Sequence, residues 1–501
     1  MKERHLNCEK LRDELLQNRK LIIGSNRGPV TLQFKEDGSV EFQRGGGGLV
    51  TALIGLAQHI EATWVAVAMT DADQAWREGP VPLEDGEGTI DVKFVIASDE
   101  MYDQYYNVIA NPLLWFLQHS MYDNIRSPTI NYSTWQAWEN GYVVMNRLFA
   151  ETIANQIELS RKRPLVMLQD YHLYLVPYFL RRVFRPHKSY TLTHFVHIPW
   201  PGTEGLGMLP PKMRGFILES LCSVDLLGFQ TREDALNFIR NRESYLPGAH
   251  VNYRHGRVWY RHHATHVRDF PISIDVEAIN KFAKSEEVVE YRQEIEERFG
   301  EYDLIVRVDR IEPSKNIVRG FEAFDELLEL YPEHIENVVF LAYLVPSRME
   351  VEEYQNYLDE LMAAAGRVNA RHGTSEWEPV RILVGENYPR AVAALEIYDV
   401  LLVNSIADGM NLVAKEGPSV NQHHGTVILS ERTGARQQLE SGAIVISPTD
   451  VYATAEAMHQ ALVMPEDERR QHDSRLKLLI EQEDIVDWLC RQLETIAELN
   501  L

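Results

Sequence analysis

Residues 398–416 read YDVLLVNSIADGMNLVAKE. The run 400–403 is apolar without a polar alternation, which a strand shows when both of its faces are covered. A polar turn then leads into a segment carrying Lys415 and Glu416. Buried strand, turn and helix in succession make the repeating unit of a parallel α/β sheet. The turn itself has two readings. Asp408 and Gly409 form a tight turn and Asn411 opens the helix. Alternatively, N–H groups at the helix start bind an anion, Asp408 takes sugar hydroxyls and Glu416 takes a ribose.

The same unit recurs outward from this stretch. KLIIGSN, TWVAVAM, RPLVMLQD, THFVHIP and DLLGFQT in the first half, and LIVRVDR, VVFLAYLVP, VRILVGE, GTVILSE and AIVISP in the second, read as buried strands ending in turns. Amphipathic segments such as TALIGLAQHIEA, ALNFIRNRESYL, IVRGFEAFDELLELYP and VEEYQNYLDELMAAAGRVNARHG read as the helices between them. The alternation restarts near RDFPISIDVEAIN (268–280), so the predicted domains are 1–272 and 273–483. The expected fold is α/β, with two doubly wound parallel sheets facing across a cleft and ligands at the carboxyl ends of their strands.

Bulk properties narrow the function. A net charge of −24 over 501 residues argues against nucleic acid and against an acidic membrane surface as partners. A phosphorylated substrate must then be held by a few local cations. Cys8, Cys222 and Cys490 show no metal or redox spacing, and the polar N-terminal stretch lacks the apolar core of a signal peptide. No apolar run reaches the ~18 residues needed to span a bilayer. A cytoplasmic protein is expected.

Several strand-end stretches carry chemistry. GSNRGPV places Arg27 after the first strand, and RGGGGLV (44–50) lets backbone approach a diphosphate, although its spacing is not that of a dinucleotide fingerprint. LQDYHLYLVP places Asp170 and His172 after a buried strand, and FVHIPWPG places His197 before prolines that fix its loop. In RVDRIEPSKN, Arg310 and Lys315 flank a turn holding Pro313, so both can point at one anion. Arg348 in LVPSRMEVEEYQ can hold a second phosphate. The aromatic stretch YDQYYNVIANPLLWF reads as core, with Tyr106 or Trp115 able to wall a sugar pocket if exposed. YRHGRVWYRHHATHV reads as a hairpin with its histidines on an exposed face, and no metal site is assigned.

Taken in order, SNR, GGL, DYHL, HIP, R-x-x-x-S-K, SR and DGMNLVAKE resemble the trehalose-6-phosphate synthase family of retaining sugar-nucleotide glycosyltransferases, over residue 20 to the C-terminus. The resemblance implies a GT-B fold with a final helix, here 484–501, returning to the N-terminal domain. It implies that Gly47 and Gly48 present N–H groups to a donor diphosphate that Arg310 and Lys315 neutralise. His197 would hold the transferred glucose, with Asp408 and the backbone of Gly409, Met410, Asn411 and Leu412. Glu416 would take the ribose, and Asn387 and Tyr388 would meet the base. Arg27, Tyr106 and Arg348 would hold an acceptor phosphate, with Asp170 and Trp115 at the sugars.

The implied reaction is front-face transfer of glucose with retention, without a protein nucleophile, a cofactor or a metal. UDP-glucose is the preferred donor, with GDP- and ADP-glucose open. Glucose 6-phosphate is the preferred acceptor and trehalose 6-phosphate the product. A homo-oligomer is compatible with the sequence. Three positions depart from the family pattern: Gln169 replaces His, Ala407 replaces Arg, and Val67 replaces Trp. They keep open glycerol 3-phosphate or a cyclitol phosphate as acceptor, beside a nucleotide-sugar-binding regulatory protein without turnover and a nucleotide-sugar epimerase. The Gly417-Pro418 pair is expected to kink the helix carrying Glu416.

Overall fold

A computed structural model describes residues 8, 10–12, 14–44, 62–76, 79–82, 89–123 and 125–501. Gly47 and Gly48, and all but the last residue of the helix expected at 51–62, lie outside the described residues; Ala62 begins a strand. The chain divides into two compact units, one of Ile272–Ile485 and one built from the residues before 272 together with Val486–Leu501.

The strands of the N-terminal unit are β1 (Arg19–Gly24), β2 (Val30–Phe34), β3 (Val40–Arg44), β4 (Ala62–Val67), β5 (Val81–Pro82), β6 (Thr89–Val95), β7 (Arg163–Gln169), β8 (Thr191–Phe195), β9 (Leu226–Phe229), β10 (His250–Asn252), β11 (Arg257–Tyr260) and β12 (His263–Asp269). Ten of them form one sheet in the order β10-β11-β12-β9-β8-β7-β1-β4-β6-β5, and β2 and β3 pair separately as a hairpin. The central pairings are parallel, while β5, β10 and β11 add antiparallel edges. Within the parallel part the order of strands reverses between β1 and β7, where ligands bind doubly wound sheets, at the carboxyl ends. The residues that leave those two ends are Ser25–Arg27 and Asp170.

The C-terminal unit holds β13 (Asp303–Arg310), β14 (Val338–Val345), β15 (Val380–Val384), β16 (Val400–Val403), β17 (Thr426–Ser430) and β18 (Ile444–Ile446). They form a parallel sheet in the order β15-β14-β13-β16-β17-β18. Its reversal lies between β13 and β16, whose ends are Arg310 and Asn404. All four residues of β16 are buried, as its unbroken apolar run requires. The helix Val413–Val420 runs through Pro418 to its end.

The last helix, Ile485–Glu498, carries Val486 onward back to the N-terminal unit. Trp488, Leu493 and Ile496 are buried there, and the Trp488 ring meets Phe195 edge-on at 5.3 Å and His197 at 6.2 Å. Arg19 donates to the carbonyl of Leu501 at 2.5 Å.

Two expectations need correction. Cys8 and Cys490, unconnected by sequence spacing, are disulfide-bonded with their Cα atoms 5.6 Å apart, and only Cys222 is free. Spacing along the chain cannot reveal a pair separated by 482 residues, so the cysteines give no support to a reducing compartment. The histidine tract does form the β11–β12 hairpin, but its histidines do not share an exposed face. His255 and His262 are exposed, whereas His266 is buried and His263 meets the carbonyl of Val224 at 2.8 Å, because positions 263 and 266 alternate to opposite faces of β12. Among the described residues no helix is long and apolar enough to cross a membrane.

Trp488→Ala leaves a ring-sized void against Phe195 and His197, and is expected to cost about 3–5 kcal/mol. A lowered urea midpoint, followed by tryptophan-independent far-UV dichroism, checks it.

Candidate active site

At the strand-order reversal of the C-terminal unit, β13 ends at Arg310 and a one-turn helix, Pro313–Lys315, follows. Lys315 does not point to open solvent. Its Nζ meets Asp408 Oδ2 at 2.5 Å, with both side chains largely buried. Burial works against the ammonium, but Asp408, Asp309 and Glu312 outweigh it and hold Lys315 above its ordinary value. Arg310, about half exposed, pairs at 3.0 Å with Glu312, whose side chain is fully buried. Arg348 reaches the same Glu312 oxygen at 3.2 Å and Tyr354 Oη at 2.6 Å. The two arginines therefore converge on one carboxylate.

Behind them Arg307, wholly buried, donates to Asp309 at 2.8 and 3.1 Å, to the Lys315 carbonyl at 2.9 Å and to Asn404 Oδ1 at 3.2 Å. This group of four cations (Arg307, Arg310, Lys315, Arg348) and three carboxylates (Asp309, Glu312, Asp408) carries one formal positive charge in excess. It can accept an anion by exchanging internal carboxylate contacts for phosphate contacts.

The turn after β16 presents the complementary surface. Asp408 Oδ2 accepts from Asn411 Nδ2 at 3.2 Å and from Ser405 Oγ at 3.4 Å. Asn411 is left-handed (φ 67°), and its Oδ1 accepts from the N–H of Ala414 at 3.4 Å. The helix starts two residues later, at Val413, with Leu412 before it. Among the described residues no acceptor meets the N–H groups of Gly409, Met410, Asn411 or Leu412. Orphan donors at a helix start favour an anion or a hydroxyl oxygen. Both readings of the turn therefore apply to the same atoms: the turn geometry creates the free donors.

Two residues of the expected base contact are placed as follows. Asn387 caps the helix Tyr388–Ile397, accepting from the N–H of Arg390 at 2.8 Å, and donates to Tyr291 Oη at 2.9 Å. The half-exposed Tyr388 stacks on Phe282 at 5.3 Å. Burial, then the charge of Glu416, raises the Tyr388 phenol above its ordinary value, and burial pushes the Glu416 carboxyl up to about 7.

In the N-terminal unit the exposed Arg27 follows Asn26, whose Nδ2 donates to Tyr102 Oη at 3.3 Å. Tyr102, Tyr106 and His172 stack in a column, with centroids 5.3 and 5.6 Å apart. Tyr106 is half-buried in this column, beside the Arg27 loop. Trp115 is corrected: it is 2% exposed and packs on His119 at 4.0 Å, inside a π-helical run over Gln104–Trp115, so it is core and cannot wall a pocket.

Asp170 sits at φ 69°, a conformation costing a non-glycine residue about 1 kcal/mol or more. The strain aims its carboxylate at the N–H of His197, 3.2 Å away. The His197 ring is held at both nitrogens: Nε2 lies 2.9 Å from Gln169 Oε1 and Nδ1 lies 3.4 Å from Gln230 Nε2. Burial, then His194, lowers His197 to about 3, so the imidazole is neutral throughout the physiological range. A neutral ring can share hydrogen bonds with a sugar hydroxyl but cannot serve as a general acid near pH 7.

Against this geometry, the Glycosyltransferase family 20 model matches residues 19–498. The chain belongs to glycosyltransferase family 20. A similar relative is the alpha,alpha-trehalose-phosphate synthase [UDP-forming] of Schizosaccharomyces pombe, 34% identical over 95% of this chain and 90% of that protein. The Candida albicans protein of the same name is 33% identical over 90% and 91%. Among solved structures, "Trehalose-6-phosphate from E. coli bound with UDP-2-fluoro glucose" aligns at TM-score 0.80 and 26% identity, covering 96% of this chain and 98% of that one. A Burkholderia xenovorans alpha,alpha-trehalose-phosphate synthase in complex with glucose-6-phosphate aligns at 0.79 and 26%, covering 95% and 100%. The fold of this family-20 chain is GT-B.

Sequence reasoning missed four parts of the candidate site. Glu312 lies inside the quoted RVDRIEPSKN, where only the cations were read, although a lone carboxylate between Ile and Pro at a strand end was the available signal. Arg307 and Asp309 alternate along β13 and look like ordinary strand residues. Gln230 is distant in sequence from His197. The fourth part is 432–435, which backs the 408–411 turn: Gly434 donates to the Asp408 carbonyl at 3.1 Å and Ala435 to that of Met410 at 3.0 Å. A Cβ on Gly434 would lie 1.9 Å from the Gly409 carbonyl oxygen.

Gly434→Ala is therefore expected to displace the 408–411 turn and lower the thermal midpoint by several degrees. Gly366→Ala, in the helix Glu352–His372 where a Cβ meets nothing within 4 Å, should hold or raise it. Differential scanning calorimetry of the two variants makes the comparison.

Proposed function

We propose that this chain transfers glucose from UDP-glucose to glucose 6-phosphate, with retention at the anomeric carbon, giving trehalose 6-phosphate and UDP. The observation that carries the reading is the meeting of Lys315 and Asp408 beside the unpartnered N–H groups of 409–412, with Arg310 and Arg348 gathered on Glu312. The similarity to UDP-forming trehalose-phosphate synthases supports it, as does the likeness to structures holding a UDP-glucose analogue and glucose-6-phosphate.

In the C-terminal unit the donor diphosphate takes Lys315 and Arg310 as partners, and Lys315 exchanges Asp408 for a phosphate oxygen. Asp408 is thereby released to accept glucose hydroxyls, and the 409–412 N–H groups donate to the sugar. Glu416 accepts from the ribose hydroxyls, while Asn387 and Tyr388 border the base. As the C1–O bond lengthens, charge accumulates on the departing diphosphate, and Lys315 and Arg310 stabilise it without a metal cofactor. The acceptor hydroxyl forms the new bond to C1, and its proton passes to the leaving phosphate oxygen. In the N-terminal unit, Arg27 and the Tyr102–Tyr106 column are the cation and ring surface assigned to the acceptor phosphate. His197, neutral and oriented by Gln169, can exchange its longer contact with Gln230 for a hydrogen bond to a sugar hydroxyl.

A matrix of UDP-, GDP- and ADP-glucose against glucose 6-phosphate and glycerol 3-phosphate, read by product mass, tests the assignment. The expected product is trehalose 6-phosphate from the UDP donor. A glycerol product reassigns the acceptor, and nucleotide release without any transfer product overturns the synthase reading. Lys315→Ala is expected to lower kcat by about 10²–10³ with little change in acceptor KM; equal losses in both would remove its leaving-group role.

The carboxyl of Glu416 gives a pH dependence with a definite sign. Only the ionised form accepts two ribose hydroxyls, and it predominates above pH ~7. UDP-glucose affinity should therefore strengthen about tenfold from pH 6 to pH 8, and Glu416→Gln should flatten that change. Isothermal titration calorimetry at three pH values measures it.

A further inference from the structure

A second cluster in the C-terminal unit takes no part in the proposed transfer. The helix Ile317–Leu330 begins two residues after Lys315, and the helix Val451–Leu462 begins after Pro448. Asn316 ties these starts together, donating to the Pro448 carbonyl at 2.7 Å. At the opposite ends, the short turn Pro332–His334 follows the first helix, and His459 sits in the last turn of the second. There His334 Nε2 lies 2.9 Å from His459 Nδ1. The carboxylate of Glu333 joins them, all three ligand atoms lying within 4.8 Å of one another.

We propose that Glu333, His334 and His459 form a binding site for a divalent transition-metal ion of the zinc class, which clips the far ends of these two helices together. Two imidazole nitrogens and one carboxylate oxygen are a borderline-soft donor set suited to such an ion, with a fourth position for water. Tetrahedral coordination at ~2.0–2.1 Å places two nitrogens about 3.3 Å apart. The nitrogens need to separate by only a few tenths of an ångström, with the rings turned so that both lone pairs meet at the metal. Their present hydrogen bond requires one nitrogen to donate and the other to accept, so the donating ring takes its other tautomer when the ion enters, with no net loss of a proton.

The surroundings favour that geometry. The Tyr331 ring lies flat on His459, centroids 3.6 Å apart and planes within 3°. Its hydroxyl is fixed to Glu456 at 2.5 Å. The other mixed cluster, Asp325, Glu329 and His372, differs in kind. Arg371 already spans both of its carboxylates, at 2.7 and 2.5 Å, and fills the cation position with a guanidinium.

The test uses the full chain, stripped with a chelator and dialysed against Zn²⁺, with bound metal counted by mass spectrometry and affinity taken from calorimetry. Four proteins are compared: wild type, His459→Gln, Glu333→Gln, and a His255→Gln/His262→Gln double variant of the β11–β12 hairpin. The wild type should bind one equivalent and gain several degrees in Tm. His459→Gln should weaken binding more than about tenfold and abolish the Tm gain, and Glu333→Gln should weaken it less. Glu333 is exposed, so its variant keeps the result readable should His459→Gln misfold. The hairpin variant should match the wild type. No binding by the wild type, equal binding by all four, or loss confined to the hairpin variant overturns the proposal.

Discussion

An ammonium taken out of water needs a carboxylate beside it, and that requirement organises the C-terminal unit. Lys315 follows β13 and Asp408 follows β16, two strands adjacent in the sheet but 93 residues apart in sequence. Their pairing fixes the loop after one strand against the turn after the other. Arg307 reinforces the arrangement from below, where its guanidinium fastens the Lys315 carbonyl and Asn404 together. The site is thus held in shape by the same charges that a phosphate would engage. In this structure carboxylates occupy the cations; the proposed transfer has a ligand take their place.

The N-terminal unit solves a different problem, the aiming of a neutral ring. His197 is packed between Phe195 and Trp488 and is addressed at each nitrogen by a glutamine side chain. Gln169, read from sequence as a departure from the family pattern, becomes the residue that sets this orientation. Ala407 is buried directly before Asp408, a place where a long cationic side chain would have to reach outward. Val67 closes β4 with its N–H on the Asn26 carbonyl at 3.1 Å, just behind the Arg27 loop.

Strand–helix alternation was legible because both faces of each central strand are covered, leaving continuous apolar runs such as 400–403 and 339–344. The positions of Arg310, Lys315, Asp170, His197 and Asp408 followed, since strand ends can be read from where such runs stop. Pairing across the sheet could not be read. Nothing local marks Glu312 as the partner of two arginines or Gln230 as the neighbour of His197. Trp115 failed for a related reason: an aromatic residue looks alike in a wall and in a core, and the π-helical turn that sinks its ring is a tertiary outcome. The Cys8–Cys490 bond is the extreme case, visible only once both chain ends lie on the same unit.

That last arrangement makes the C-terminal unit an insertion within the N-terminal one. During synthesis the ribosome must deliver the entire Ile272–Ile485 lobe before it releases the Trp488 helix that backs His197. The lobe begun first is therefore the last to be finished. A chain stalled or cut near residue 485 would carry a complete C-terminal sheet yet an unsupported His197 in the N-terminal unit, reversing the usual vectorial order in which the leading domain matures first.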